Sequence, residues 1–261
     1  MTHTKKVIFI TGAFVSHTCW DQWIDYFAEH GYEAFAPAWP FKDAPAKALR
    51  EKQPYDSGLA ALTLDQLIDY YASIAIRLPE KPIIVGHSLG GLIAQILINR
   101  NLGSAGVAIH PVPPQGVFPY EFTFLRATFK LLGIFSSVKH TYLVNFNDFK
   151  RTFLNGLPEN MHADAYEKYA IPESRTVAKG GLTKAAAVDF AKEHAPLLIT
   201  SGGRDNLIPV HLINRNYKSY KDNYSITDYR EFVNSTHGLL TDLSWREEAD
   251  FILEWLRAVS K

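Results

Sequence analysis

Pro82-Ile83-Ile84-Val85-Gly86-His87-Ser88-Leu89-Gly90-Gly91-Leu92 is the stretch that decides the reading of this chain. Pro82 to Val85 reads as a short buried strand and Leu89 to Asn99 as a helix, with Gly86-His87-Ser88-Leu89-Gly90 between them. A serine on such a strand-to-helix turn must adopt strained backbone angles. The flanking glycines remove side chains that would collide with the strand and the helix. The turn pushes the Ser88 hydroxyl beyond the carboxyl end of the sheet, where ligands bind in open α/β folds. The helix beginning at Leu89 aims free N–H groups at the same place.

Working outward, strands and helices alternate. Val7 to Ile10 is an apolar strand ending at Thr11-Gly12. Trp20, Trp23, Ile24 and Phe27 have helical spacing, and Gly31 supplies the stop. Glu33 to Ala38 reads as a second strand, and Phe41 to Gly58 as loop with a short helix. Thr63 to Leu78 is a helix with Thr63 as N-cap and Gln66 completing a capping box. Gly106 to Ile109 is a further strand. From about Val112 to Thr183 the alternation stops, and an aromatic-rich, mainly helical segment takes its place. It resumes with strands at Pro196–Thr200 and Ser225–Val233 and helices at Val210–Tyr220 and Trp245–Val259. Such alternation predicts an α/β fold with a mostly parallel, helix-flanked sheet. Residues 1–111 and 184–261 are expected to form the core, and 112–183 a helical cap.

A serine hydroxyl is a weak nucleophile until a neighbouring base takes its proton. Of the ten histidines, His237 is the one on the loop between the last strand and last helix, in Asn234-Ser235-Thr236-His237-Gly238. The acid is expected just beyond a late strand, and Ser201-Gly202-Gly203-Arg204-Asp205 follows Leu197–Thr200 directly. Asp189, Asp222, Asp228 and Asp242 are weaker rivals because none follows an apolar strand. Asp205 would orient His237 and stabilise its cation. Attack on a carbonyl develops negative charge on oxygen, which two backbone N–H groups must already face. Leu89, after the nucleophile, is one expected donor. The loop Thr11-Gly12-Ala13-Phe14 should supply the other, Ala13 being preferred and Phe14 the alternative. Phe14 is also expected at the substrate pocket.

Taken together these residues are similar to the α/β-hydrolase superfamily, in its serine esterase and lipase-like capped form, over essentially the whole chain. Thr11 to Trp20 resembles the family's His-Gly-x-x segment with its downstream tryptophan, and Gly86 to Gly90 its nucleophile elbow. Gly203 to Asp205 resembles the acid turn and Thr236-His237-Gly238 the histidine loop. One departure stands out: the family's common histidine before the oxyanion glycine is Thr11 here. The resemblance implies no cofactor and cleavage of a carboxylic ester through an acyl-enzyme. A hydrolase-fold receptor with little turnover, or a cofactor-free perhydrolase or lyase using the same three residues, is the competing implication.

Composition narrows the partners. Twenty-seven Lys and Arg balance 27 Asp and Glu, so no bulk field attracts nucleic acid or anionic membrane. One cysteine, Cys19, excludes an intrachain disulfide and paired-cysteine zinc sites; it reads as a small buried side chain. No apolar run approaches the roughly 18 residues of a membrane span, and the first residues lack a signal-peptide core, so a cytoplasmic protein is expected. The cap aromatics, Phe14, Trp39 and His110-Pro111-Val112-Pro113-Pro114 suggest an apolar pocket for a small or medium ester. His17 and His110 are assigned no role, and monomer and homodimer are equally open.

Overall fold

Val7 and Phe9 enter one hydrophobic core while Ile8 and Ile10 enter another. Adjacent strand residues point to opposite faces, so this strand is covered on both sides. The computed structural model describes residues 4–133, 137–220, 224–238 and 244–260. Its sheet has six parallel strands: β1 (Lys6–Ile10), β2 (Glu33–Phe35), β3 (Ile83–His87), β4 (Ala105–Ile109), β5 (Leu197–Gly202) and β6 (Thr227–Phe232). The spatial order is β2-β1-β3-β4-β5-β6, with Val7 opposite Ile83 and Ile83 opposite Ala105. Chain order and spatial order reverse at β1, beside β3, which is where open α/β sheets place a ligand crevice.

Helices α1 (Asp21–Glu29) and α11 (Trp245–Val259) cover one face, and α4 (Leu64–Arg77), α5 (Leu89–Asn99) and α10 (Val210–Ser219) the other. On the first face Phe9 stacks on Trp20 with ring centres 4.5 Å apart, and Trp23 and Phe27 meet it edge-on. On the second, the predicted capping box is present. Gln66 N–H donates to Thr63 Oγ1 at 3.2 Å, and Thr63 N–H to Gln66 Oε1 at 3.0 Å. Gly31 takes the left-handed conformation, φ +82°, that ends α1.

Some boundaries differ from the sequence reading. β2 stops at Phe35 rather than Ala38. Pro37 lacks the N–H a ladder needs, and its carbonyl accepts the Tyr71 hydroxyl at 2.8 Å. The stretch 41–58 holds α2 (Ala46–Lys52) and the start of α3 (Ser57–Ala61) instead of one short helix. A 3₁₀ turn, His17–Trp20, precedes α1.

Between β4 and β5 lie α6 (Phe122–Leu132), α7 (Phe146–Phe153), α8 (His162–Tyr169) and α9 (Arg175–Gly180). This segment is bound tightly to the loop after β1. Val15 and Ala170 form an antiparallel bridge, Ser16 N–H donates to Tyr169 O at 2.9 Å, and Ile171 N–H to Phe14 O at 3.0 Å. It also contributes Phe149, Phe153, Leu154 and Ala170 to one core and Val177 to the other.

Candidate active site

Ser88 follows β3 directly and caps α5 with φ +57° and ψ −118°. A non-glycine residue held there carries strain of order 1–3 kcal/mol. The neighbouring glycines make the turn possible. A Cβ on Gly86 would lie 2.0 Å from Gly90 O, and one on Gly90 would lie 2.1 Å from Ile10 O. The Ser88 backbone is fixed too, its N–H donating to Ile109 O and its carbonyl accepting from Val112.

His237 reaches the serine from the loop after β6. Its Nε2 is 3.0 Å from Ser88 Oγ, and its Nδ1 is 2.7 Å from Asp205 Oδ2. Asp205 stands on the turn after β5, where Oδ1 accepts the N–H groups of Leu207 and Ile208 at 2.7 and 2.8 Å. Burial pushes its carboxyl up, but His237, the hydrogen bond from it, His110 and the Ile208 N–H together hold it below the usual range. An ionised Asp205 only accepts hydrogen bonds, so His237 carries its proton on Nδ1 and presents a bare Nε2 to the serine hydroxyl. Gly238 admits the close approach of this loop to α7, since a Cβ there would lie 1.6 Å from Phe153 O.

Sequence reasoning missed the groups behind this chain. His110, at the end of β4, sits between two buried carboxylates, with Nδ1 3.7 Å from Asp205 Oδ2 and Nε2 3.5 Å from Glu248 Oε2. Glu248, on α11, also accepts the Thr200 hydroxyl. His110 ends a strand beside the nucleophile turn, a position that could have signalled it; Glu248 reads as an ordinary helix glutamate and carries no such signal.

The loop after β1 faces Ser88 from the other side. Ala13 and Leu89 both line the cavity at Ser88, and among the described residues neither N–H has a protein acceptor. Phe14, the alternative donor, has no free N–H, because that group donates to Glu173 Oε2 at 3.1 Å. Of the three candidate donors, only Ala13 and Leu89 have N–H groups without a protein acceptor among the described residues.

A profile of the alpha/beta hydrolase family matches residues 7–251. The chain belongs to that family. No curated protein matches the sequence. Among solved structures, the α/β-hydrolase fold here is similar to a pyrethroid hydrolase from Sphingobium faniae JZ-2 at 18% identity and TM-score 0.68, covering 98% of each chain. It is also similar to methylketone synthase I of tomato, at 13% identity and TM-score 0.71, covering 98% of this chain and 99% of that one. The monoacylglycerol lipase of Paleococcus ferrophilus aligns at 20% identity and TM-score 0.68, covering 97% and 94%.

The cavity of this α/β-hydrolase encloses about 140 Å³ in front of Ser88. Its wall is mostly apolar, with Phe14, Leu89, Val112, Phe124, Tyr142 and Phe153 prominent. Asp148 and Arg151 also line it and pair at 3.3 Å. Trp39 is not part of the lining; it is buried beneath the loop, where its Nε1–H donates to Thr11 O at 3.1 Å. Of the 110–114 cluster only Val112 lines the cavity. The segment's aromatics divide: Phe149 is core, Phe118, Tyr120, Phe122 and Phe129 are exposed, and Phe135 lies outside the described residues.

The remaining candidates fall elsewhere. Asp228 accepts the Trp255 indole N–H at 2.6 Å, and Asp189 packs against Asn99. Asp222 and Asp242 lie outside the described residues. His17 lines a separate surface groove. Cys19 is buried, and burial pushes its thiol far up, away from the thiolate a nucleophile needs. His87, His110 and His237 bring ligand atoms within 4.8 Å of one another. Both His237 nitrogens are already committed to Ser88 and Asp205, which leaves too few donors for a structural zinc. Among the described residues no helix is long and apolar enough to cross a membrane.

Proposed function

We propose that this protein is a serine hydrolase cleaving the carboxylic ester of a small to medium apolar substrate. One observation carries the reading: Ser88 Oγ, His237 and Asp205 form an unbroken hydrogen-bonded chain, 3.0 and 2.7 Å, on the floor of an apolar cavity. Ser88 attacks the carbonyl carbon as its proton passes to His237 Nε2. The new imidazolium is stabilised by Asp205, and the oxyanion by the N–H groups of Ala13 and Leu89, each donor being worth about 10² to 10³ in rate. His237 then protonates the departing alcohol. It next takes a proton from water, whose oxygen attacks the acyl-enzyme, and returns that proton to Ser88 Oγ as the acyl–oxygen bond breaks and the acid leaves.

The segment 112–183 serves as the cap of this site, supplying Phe124, Tyr142 and Phe153 to the wall. Esterase and lipase activities named for similar folds accord with this reading, although identities of 20% or less tie the chain to them by fold only. The test is covalent: a fluorophosphonate should leave one adduct on Ser88, and Ser88→Ala should lose both the adduct and ester hydrolysis with its melting temperature kept. Ester hydrolysis persisting in folded Ser88→Ala would overturn the mechanism.

A further inference from the structure

The loop Thr11-Gly12-Ala13-Phe14 is pinned by other groups at both of its ends. Those groups are visible. At one end, Trp39 Nε1–H donates to Thr11 O. At the other, Phe14 is forced to φ +69°, its N–H is taken by Glu173 Oε2, and its carbonyl accepts from Ile171. Between these anchors lie only Gly12 and Ala13.

Glu173 is itself immobilised. It belongs to the segment between β4 and β5 and exchanges two backbone hydrogen bonds with Tyr142, at 2.8 and 2.9 Å. Its Oε1 accepts the Ser174 N–H at 2.9 Å, and its Oε2 also accepts Lys42 Nζ. Both members of the ion pair are buried, at 3% and 1% exposure. The Lys42 ammonium lies 3.7 Å from the centre of the Trp39 ring, so the lysine touches both anchors. Desolvation largely cancels the attraction within a buried ion pair. What this pair holds in place is therefore more telling than what it adds to stability.

We propose that Glu173, fixed by Lys42, is a positioning residue for the oxyanion hole: it locks the Phe14 peptide and thereby aims the Ala13 N–H at the substrate carbonyl oxygen. The hole then depends on the segment between β4 and β5 being docked, because that segment brings Glu173. This inference rests on the reading of Ala13 and Leu89 as oxyanion donors.

The test compares two double variants with the parent, using p-nitrophenyl butyrate as substrate and amide exchange of residues 11–16 as a readout independent of turnover. Lys42→Met with Glu173→Gln removes both charges but keeps an oxygen that can accept the Phe14 N–H. Lys42→Met with Glu173→Leu removes that acceptor at similar volume. The leucine variant should lose about 10- to 100-fold in kcat, less than outright loss of a donor, with KM within about threefold and faster exchange at Phe14. The glutamine variant should recover most of that loss. Should the leucine variant not fold, Glu173→Ala in the same Lys42→Met background is held to the same criteria. A folded acceptor-less variant with kcat within about twofold of the parent, or equal losses in the glutamine and leucine variants, would overturn the role of Glu173. A parent that hydrolyses no ester overturns the underlying reading, and this inference with it.

Discussion

His87 lies one residue before Ser88 and is buried, with its ring 4.8 Å from that of His237 and 6.1 Å from that of His110. Burial first, and then the neighbouring His237 and His110, hold its pKa well below the ordinary imidazole value. The folded protein therefore keeps His87 neutral while the unfolded chain takes up a proton below about pH 6.5. More protons are then bound by the unfolded state, so stability falls as pH drops through that value, by up to about 1.4 kcal/mol per pH unit from this residue. Denaturant titrations between pH 7.5 and 5 should show that slope, and His87→Gln should flatten it by close to one proton. An unchanged slope would mean that His87 is protonated in the fold. At this scale Ser88, Asp205 and His237 were legible because each sits at a strand end beside turn residues. Glu173 and Lys42 were not, because their partners lie 159 and 131 residues away in sequence.

The element that holds Ser88 is the β3–α5 turn, and its tolerance is set by backbone rather than side chains. In Gly90→Ala the new Cβ meets the Ile10 carbonyl at 2.1 Å, and the next atoms it meets are also backbone. No rotamer change relieves such a contact, so α5 must move off β1. A stability loss of about 1–3 kcal/mol is expected from overpacking. Ester hydrolysis should fall further than stability does, because the same shift carries Ser88 and the Leu89 N–H away from His237 and Ala13. Parallel measurement of melting temperature and kcat separates the two effects; a variant with parental kcat would show that the turn absorbs the methyl group. Helix α4 was equally legible, since its capping box is a local exchange of hydrogen bonds between Thr63 and Gln66. β2 was overextended from sequence because apolar residues past Phe35 look strand-like, whereas ladder pairing is decided by the neighbouring strand.

Across the whole molecule, the segment between β4 and β5 shares both hydrophobic cores with the rest of the chain. Helix α9 packs on α4 and α8 on α2, while Arg50 Nη1 donates to the carbonyls of Glu167 and Ala170 at 2.9 Å each. Elements joined by that much buried contact open together rather than separately. Thermal unfolding followed by far-ultraviolet circular dichroism, tryptophan fluorescence and hydrolytic activity should give one coincident transition. Activity lost well before the other two signals would show that the segment undocks as a unit of its own.

From residue order by itself came the alternation of strands and helices, the strained serine turn and the two loops bearing Asp205 and His237. These are local properties: side-chain periodicity, glycine freedom and turn chemistry act over a few residues. Tertiary structure decided what lies between elements. It committed the Phe14 N–H to Glu173, which removes Phe14 as a candidate oxyanion donor. It buried Trp39 under the loop rather than in the pocket, and it set His110 and Glu248 behind Asp205. Each of these depends on distant segments meeting at a buried point, where a polar group without water must find whichever partner the fold brings.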